Sequence, residues 1–292
     1  MPKDWSGKTG GTRRMQQGLI VLLRVVHLPV IYGIMGVVIL FYMLFRHSTY
    51  IAIYHYFRHI QGDNVWRAFV HTYIDYFHFG QVILDRFAAW AGQEFRFTFD
   101  NEEQCMQVFR QPEGAIVLFS HVGNFEIAGY YFQTHQKRMN IVAYGGDTAT
   151  VMQNRVKQLG LNNIAIIAHS DDMSHIFQIH TALTNGEIVS MAGDRGLGSL
   201  KTVSCRVLGH TAELPQGSFR IAAAAGKEII VLFVMKEHNY EYRIYHFPLH
   251  VDARLKRTEQ VQDLAQQYAD CLTTIAQKYP TQWFHFYEFW RH

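Results

Sequence analysis

The chain has 292 residues, 49% of them hydrophobic and 17% charged, with a formal net charge of +3. That length and apolar content suffice for one large α/β domain, alone or with a membrane segment, and so small a net charge leaves no nucleic-acid footprint. Cys105, Cys205 and Cys271 are far apart, odd in number and lack zinc-ligand spacing, as expected of reduced thiols in a cytosol-facing protein.

The first element is an apolar run from Val25 to Phe45, with Arg24 and His27 at its start and Arg46 and His47 at its end. At helical rise it reaches about 30 Å, the thickness of a hydrocarbon core. It predicts an amino-terminal membrane helix, with 1–47 as anchoring segment and 48–292 as the main domain; a buried core helix is the alternative. Basic residues flank the run on both sides, so the positive-inside rule gives no orientation. A bent, half-inserted helix with both ends on one face accounts for them as well as a span does. Residues 48–60 and 64–90 read as two further helices. Their tyrosines, phenylalanines and Trp66 alternate with His and Arg, which suits either a headgroup layer or a packed aromatic stripe.

After Gln93 the pattern becomes α/β. Strands are expected at 94–99, 115–120, 140–144, 164–168, 187–192, 228–235 and 240–247. Helices are expected at 101–110, 124–135, 147–159, 171–184, 215–225 and 258–279. The alternation implies a mixed, mostly parallel sheet covered by helices on both faces. The closing run Gln282-Trp283-Phe284-His285-Phe286-Tyr287-Glu288-Phe289-Trp290 is too apolar for a loose tail; it packs on the body or touches lipid.

Ligands of open sheets collect at the carboxyl ends of the strands. Three polar clusters fall there: His121–Glu126, Gly145–Asp147 and Asp194–Arg195. In Ser120-His121-Val122-Gly123-Asn124-Phe125-Glu126, a histidine ends a buried strand and a carboxylate opens the next helix. This pattern points to a general base with Glu126 as its expected orienting partner; an ordinary packing or turn histidine is the plain alternative. Arg195 is a candidate for phosphate or developing negative charge, held by Asp194; a surface turn with a local salt bridge is the plain alternative. Lys137, Arg138, Arg155 and Lys157 form a candidate basic patch or simply a solvated face.

His121-Val122-Gly123-Asn124-Phe125-Glu126 resembles the His-x4-Asp/Glu motif of glycerolipid and lysophospholipid acyltransferases. The branch it is most similar to is that of the bacterial lipid A late acyltransferases. The apolar amino-terminal segment, Ala192-Gly193-Asp194-Arg195-Gly196, the segment Val207–Ser218 and the tryptophan-bearing carboxyl end follow that branch's order. Tyr144-Gly145-Gly146 departs from it where those enzymes tend to carry Tyr-Arg, with Arg155 as a possible substitute.

The resemblance implies a membrane-bound acyltransferase at the bacterial inner membrane, its catalytic domain facing the cytoplasm. It would move a fatty-acyl chain from an acyl-carrier-protein or coenzyme A thioester to a hydroxyl or amine of a lipid or glycolipid. His121 and Glu126 would be catalytic, and Gly123, Asn124, Arg155, Asp194 and Arg195 would bind substrate. No cofactor or metal is implied beyond the co-substrate. Two other readings stay open: a non-catalytic membrane scaffold, and a hydrolase with His121, Glu126 and Asp194 as metal ligands.

Overall fold

A computed structural model describes residues 13–45, 47–132, 137–143, 163–170, 172–195 and 201–290. The Gly145–Asp147 turn, the helix expected over 147–159, Arg155 and Lys157 lie outside the described residues.

Seven strands form one sheet: β1 (Arg96–Phe99), β2 (Ala115–Phe119), β3 (Met139–Ala143), β4 (Ile164–Ala168), β5 (Ile188–Ala192), β8 (Glu228–His238) and β9 (Glu241–Leu249). Their order is β1-β9-β8-β2-β5-β3-β4. Every neighbouring pair is parallel except the β8–β9 hairpin. The sheet is therefore mixed and mostly parallel, as the sequence predicts.

Period-two alternation builds a core on each face. Ile116 and Leu118 of β2 and Ile229, Val231 and Phe233 of β8 point to one side. There they meet α9 (Arg257–Lys278) through Leu264, Tyr268 and Leu272, and α8 (Gln216–Ala225) through Phe219. Ala115, Val117, Ile230 and Leu232 point to the other. There they meet α5 (Glu102–Arg110) through Met106 and Phe109, and α6 (Phe125–Phe132) through Ile127 and Phe132. The helix α7 (Ser174–Thr184) precedes β5.

A two-stranded hairpin, β6 (Thr202–Val207) and β7 (His210–Pro215), stands apart from the sheet. Leu208 (φ 52°) and Gly209 (φ 80°) form its turn, the positive-φ pair that suits a two-residue hairpin. No strand was expected over 202–215. The alternation of Val203, Cys205 and Val207 with Ser204 and Arg206 is the signal, and burial follows it residue by residue.

The amino-terminal helices are α1 (Arg13–Val25), α2 (Leu28–Phe45), α3 (His47–His55) with one wide turn to Ile60, and α4 (Val65–Trp90). Leu28, Ile31 and Tyr32 of α2 pack on Leu84, Phe87 and Ala88 of α4. The opposite side of α2 leaves Val30, Ile34, Val37, Val38, Phe41 and Phe45 exposed. Among the described residues no helix is long and apolar enough to cross a membrane. The apolar run begins its helix only at Leu28, with Pro29 in the first turn, so α2 has 18 residues. They rise about 27 Å, short of a core about 30 Å thick. The membrane-crossing helix expected from the sequence is thus not what the structure presents.

The carboxyl end packs. Trp283 is fully buried, and Phe289 and Trp290 join the main core with Tyr56, whose ring stacks on Trp290 at 5.6 Å between centroids.

Candidate active site

The site starts from strand register. β2 and β5 are parallel neighbours, with Phe119 opposite Ala192. Two residues further along each chain stand His121 and Asp194, so both leave the carboxyl end of the sheet side by side. His121 Nδ1 lies 3.0 Å from Asp194 Oδ1 and 3.2 Å from Oδ2, and the His121 amide donates to Asp194 Oδ2 at 2.7 Å. Asp194 is buried, whereas a third of the His121 side chain (34%) meets solvent. Burial alone would raise the Asp194 carboxyl; the charges and hydrogen bonds of His121, with Arg195 beyond, outweigh it and hold the group below its ordinary value. Nε2 is the ring nitrogen not engaged by Asp194.

Glycine is required before Asp194 by a close approach. A Cβ on Gly193 would sit 2.6 Å from the Tyr268 ring, and the Tyr268 hydroxyl donates to Phe119 O at 3.1 Å. The α9 helix thereby clamps the ends of both strands.

The turn after His121 is tied down at each residue. Gly123 has φ +70°, and a Cβ there would overlap the Val234 carbonyl oxygen. Its amide donates to Gln282 O at 2.8 Å, and the Asn124 amide donates to Val234 O at 2.7 Å. Gly123 and Asn124 were expected to bind substrate; here both backbone amides are bonded within the fold and shape the turn. The carboxyl-terminal segment closes the other side: the Phe284 amide donates to His121 O at 3.0 Å. Asn124 begins α6, and its Oδ1 accepts from Ile127 N at 3.3 Å. Phe119 and Phe125 stack at 4.1 Å across the turn.

Glu126 was the expected partner of the imidazole, but the carboxylate on Nδ1 is Asp194. Glu126 accepts from Arg86 Nη1 of α4 at 2.7 Å, and its side chain is half exposed (53%). The first turn of a helix carries its side chain past the strand end, whereas neighbouring strands bring their ends into contact. Arg195 donates from Nη2 to His285 O at 2.9 Å, and its guanidinium lies 5.0 Å over the Tyr287 ring. Asp194, Arg195 and the carboxyl-terminal aromatics thus border one side of His121. His285 is buried, its ring against those of Tyr56, Trp283, Tyr287 and Trp290. Burial chiefly, with the nearby Arg195 charge, brings its imidazole down to about 4, against a hydrogen bond to Trp283 O and the Asp194 charge. In the expected basic patch, Lys137 Nζ donates to the carbonyls of Val108 and Glu113, while Arg138 is exposed.

Among the described residues no group of three or more His, Cys, Asp or Glu side chains is arranged to hold a metal ion, so His121, Glu126 and Asp194 do not form the expected alternative ligand set. The arrangement can take a proton at Nε2 and share the resulting charge with Asp194.

The family's sequence model matches residues 76–292, from within α4 to the carboxyl end, and the chain belongs to the bacterial lipid A biosynthesis acyltransferases. No curated protein matches the chain significantly. Membership makes it an acyltransferase, with a lipid acceptor of the lipid A type and an acyl donor implied.

Proposed function

We propose that this acyltransferase works at a membrane surface, moving a fatty-acyl chain from a thioester to a hydroxyl or amine of a lipid or glycolipid acceptor. The contact of His121 Nδ1 with Asp194 is the observation that carries the reading. Nε2 takes the proton of the acceptor group as its oxygen or nitrogen attacks the thioester carbonyl. The tetrahedral intermediate then expels the thiolate, which recovers the proton from the imidazolium. Asp194 fixes the tautomer and stabilises the imidazolium. Glu126, paired with Arg86, acts from the helix side of the same turn, and Arg195 offers a cation for a phosphate or for negative charge developing nearby. The step needs no covalent acyl-enzyme and no cofactor beyond the thioester of acyl carrier protein or coenzyme A.

Attachment to the inner membrane, with the catalytic domain facing the cytoplasm, is part of the proposal. Val30, Ile34, Val37, Val38, Phe41 and Phe45 of α2 and Val65, Trp66, Phe69 and Val70 of α4, two helices in contact, are exposed, an apolar display that favours an interaction surface. It suits a helix lying in the headgroup layer with the body on one side. Residues 1–47 serve as the anchoring part and 48–292 as the catalytic domain. The reading is tested by acyl transfer in His121→Ala: loss of transfer by a folded, membrane-associated variant supports it, and retained transfer refutes it.

A further inference from the structure

The turn that carries His121 is held by a buried charge cluster that the proposed chemistry does not use. Asp85 of α4 is fully buried, and its carboxylate receives three donors: Lys236 Nζ of β8 at 2.6 Å, the Tyr242 hydroxyl of β9 and the Tyr32 hydroxyl of α2. Lys236 Nζ also donates to Asn239 O at 2.9 Å and lies 4.8 Å from the centre of the Tyr242 ring. Burial pushes the Asp85 carboxyl up and the Lys236 ammonium down, each against the attraction of the other.

Isolated ion pairs of this kind contribute little to stability, since desolvation offsets most of the attraction. What distinguishes this one is where its hydrogen bonds lead. The Tyr242 hydroxyl gives its proton to Asp85 and accepts one from Asn124 Nδ2 at 3.0 Å. Asn124 is three residues from His121 and caps α6. A second arm runs from the backbone of Lys236, whose N–H and C=O are both bound by the Gln282 side chain at 3.0 and 2.9 Å. Gln282 O in turn receives the Gly123 amide. Both arms converge on the segment 121–124.

We propose that the Asp85–Lys236–Tyr242 cluster is a positioning device for the active site, acting through Asn124 to keep the His121 imidazole seated against Asp194. Tyr242 and Asn124 are positioning residues that touch no substrate. The inference rests on the proposed role of His121 as base.

The test uses the full chain in detergent-extracted membranes, with mixed long-chain acyl-carrier-protein and acyl-coenzyme A thioesters as donors and total bacterial lipid as acceptor. Tyr242→Phe and Asn124→Ser break the same hydrogen bond from opposite ends; serine keeps a capping oxygen for α6. Each is expected to lower kcat about 10- to 100-fold, with KM for the thioester within about twofold. The double variant should lose no more than the worse single one. Wild-type kcat in either folded variant, a loss confined to thermal stability, or losses that multiply in the double variant would overturn the inference. If Tyr242→Phe does not fold, Asn124→Ser decides. His121→Ala separates the two levels. Full transfer by it removes the base and the positioning role together, whereas its inactivity beside wild-type positioning variants removes the positioning role alone.

Discussion

His121 and Asp194 are 73 positions apart in the chain, the same offset that pairs Phe119 with Ala192 in the sheet, and that shared register sets Nδ1 against the carboxylate at 3.0 Å. The proposed catalytic pair is thus an extension of parallel strand pairing and is only as firm as the strand ends beneath it.

Replacement of Asp194 by asparagine keeps the shape of the contact and removes its charge. The imidazolium then loses its counter-ion, and the amide can hold the wrong tautomer. Acyl transfer is expected to fall about 100-fold or more, the range that general base catalysis contributes. Initial rates of the purified variant against wild type check this; a loss below about threefold contradicts it.

Gly123→Ala places a methyl group against the Val234 carbonyl oxygen at a positive φ. The backbone conformation alone costs about 1–3 kcal/mol, and the overlap forces the turn from β8. Thermal denaturation should show a large drop in Tm and little transfer activity. Gly209→Ala shares the positive φ without a neighbour within 4 Å and should cost less.

The half-exposed Glu126 is paired with an Arg86 whose side chain is buried to within 9% of its surface. Solvent around the carboxylate screens the pair, so Glu126→Gln should cost only about 1 kcal/mol in chemical denaturation. Arg86→Ala should cost more. Its guanidinium also lies 5.5 Å from the Phe87 ring and 5.7 Å from the Trp90 ring, packing that alanine deletes. Equal costs would contradict this account.

His285 gives the fold a pH dependence of definite sign. The unfolded imidazole titrates near 6.5 and the buried one at about 4, so between those values the unfolded chain binds the extra proton. Stability from this group is complete above about pH 6.5 and is lost as pH falls towards about 4, by on the order of 3 kcal/mol. His78, His175 and His246 are lowered as well and add to the same trend. His285→Asn keeps a donor for Trp283 O; it should flatten the decline between pH 6.5 and 4 in urea titrations. An unchanged slope would refute the assignment.

The apolar face of α2 and the start of α4 should bind lipid. Phe41→Glu with Trp66→Glu puts charge on two of its most exposed side chains, 60% and 79% accessible. The doubly substituted chain should move from the membrane to the soluble fraction and fail to float with vesicles of anionic phospholipid. Undiminished flotation would remove this surface from the account.

Much of the fold was legible because its signals are local. The apolar strand 164–168 and the long helix near 258–279 carry their own periodicity, and the structure has them at Ile164–Ala168 and Arg257–Lys278. The position of His121 at a strand end was legible for the same reason. Its partner was not. Spacing along the chain favours Glu126, five residues on, and strand order is absent from any local window. Asp85 and Lys236, 151 positions apart, are invisible to sequence reading for the same cause. The hairpin at 202–215 did leave a signal in its alternation and its Leu208-Gly209 turn, but alternation over six residues is weak beside the longer helical patterns around it.

The central claim is that His121 is the base for acyl transfer to a membrane lipid. Lipid mass spectrometry of cells lacking the gene, complemented with wild type or His121→Ala, tests it most directly. One lipid species should lose a single acyl group in the deletion, regain it with wild type and remain deficient with His121→Ala expressed at the same level. Restoration of that acyl group by His121→Ala would contradict the account.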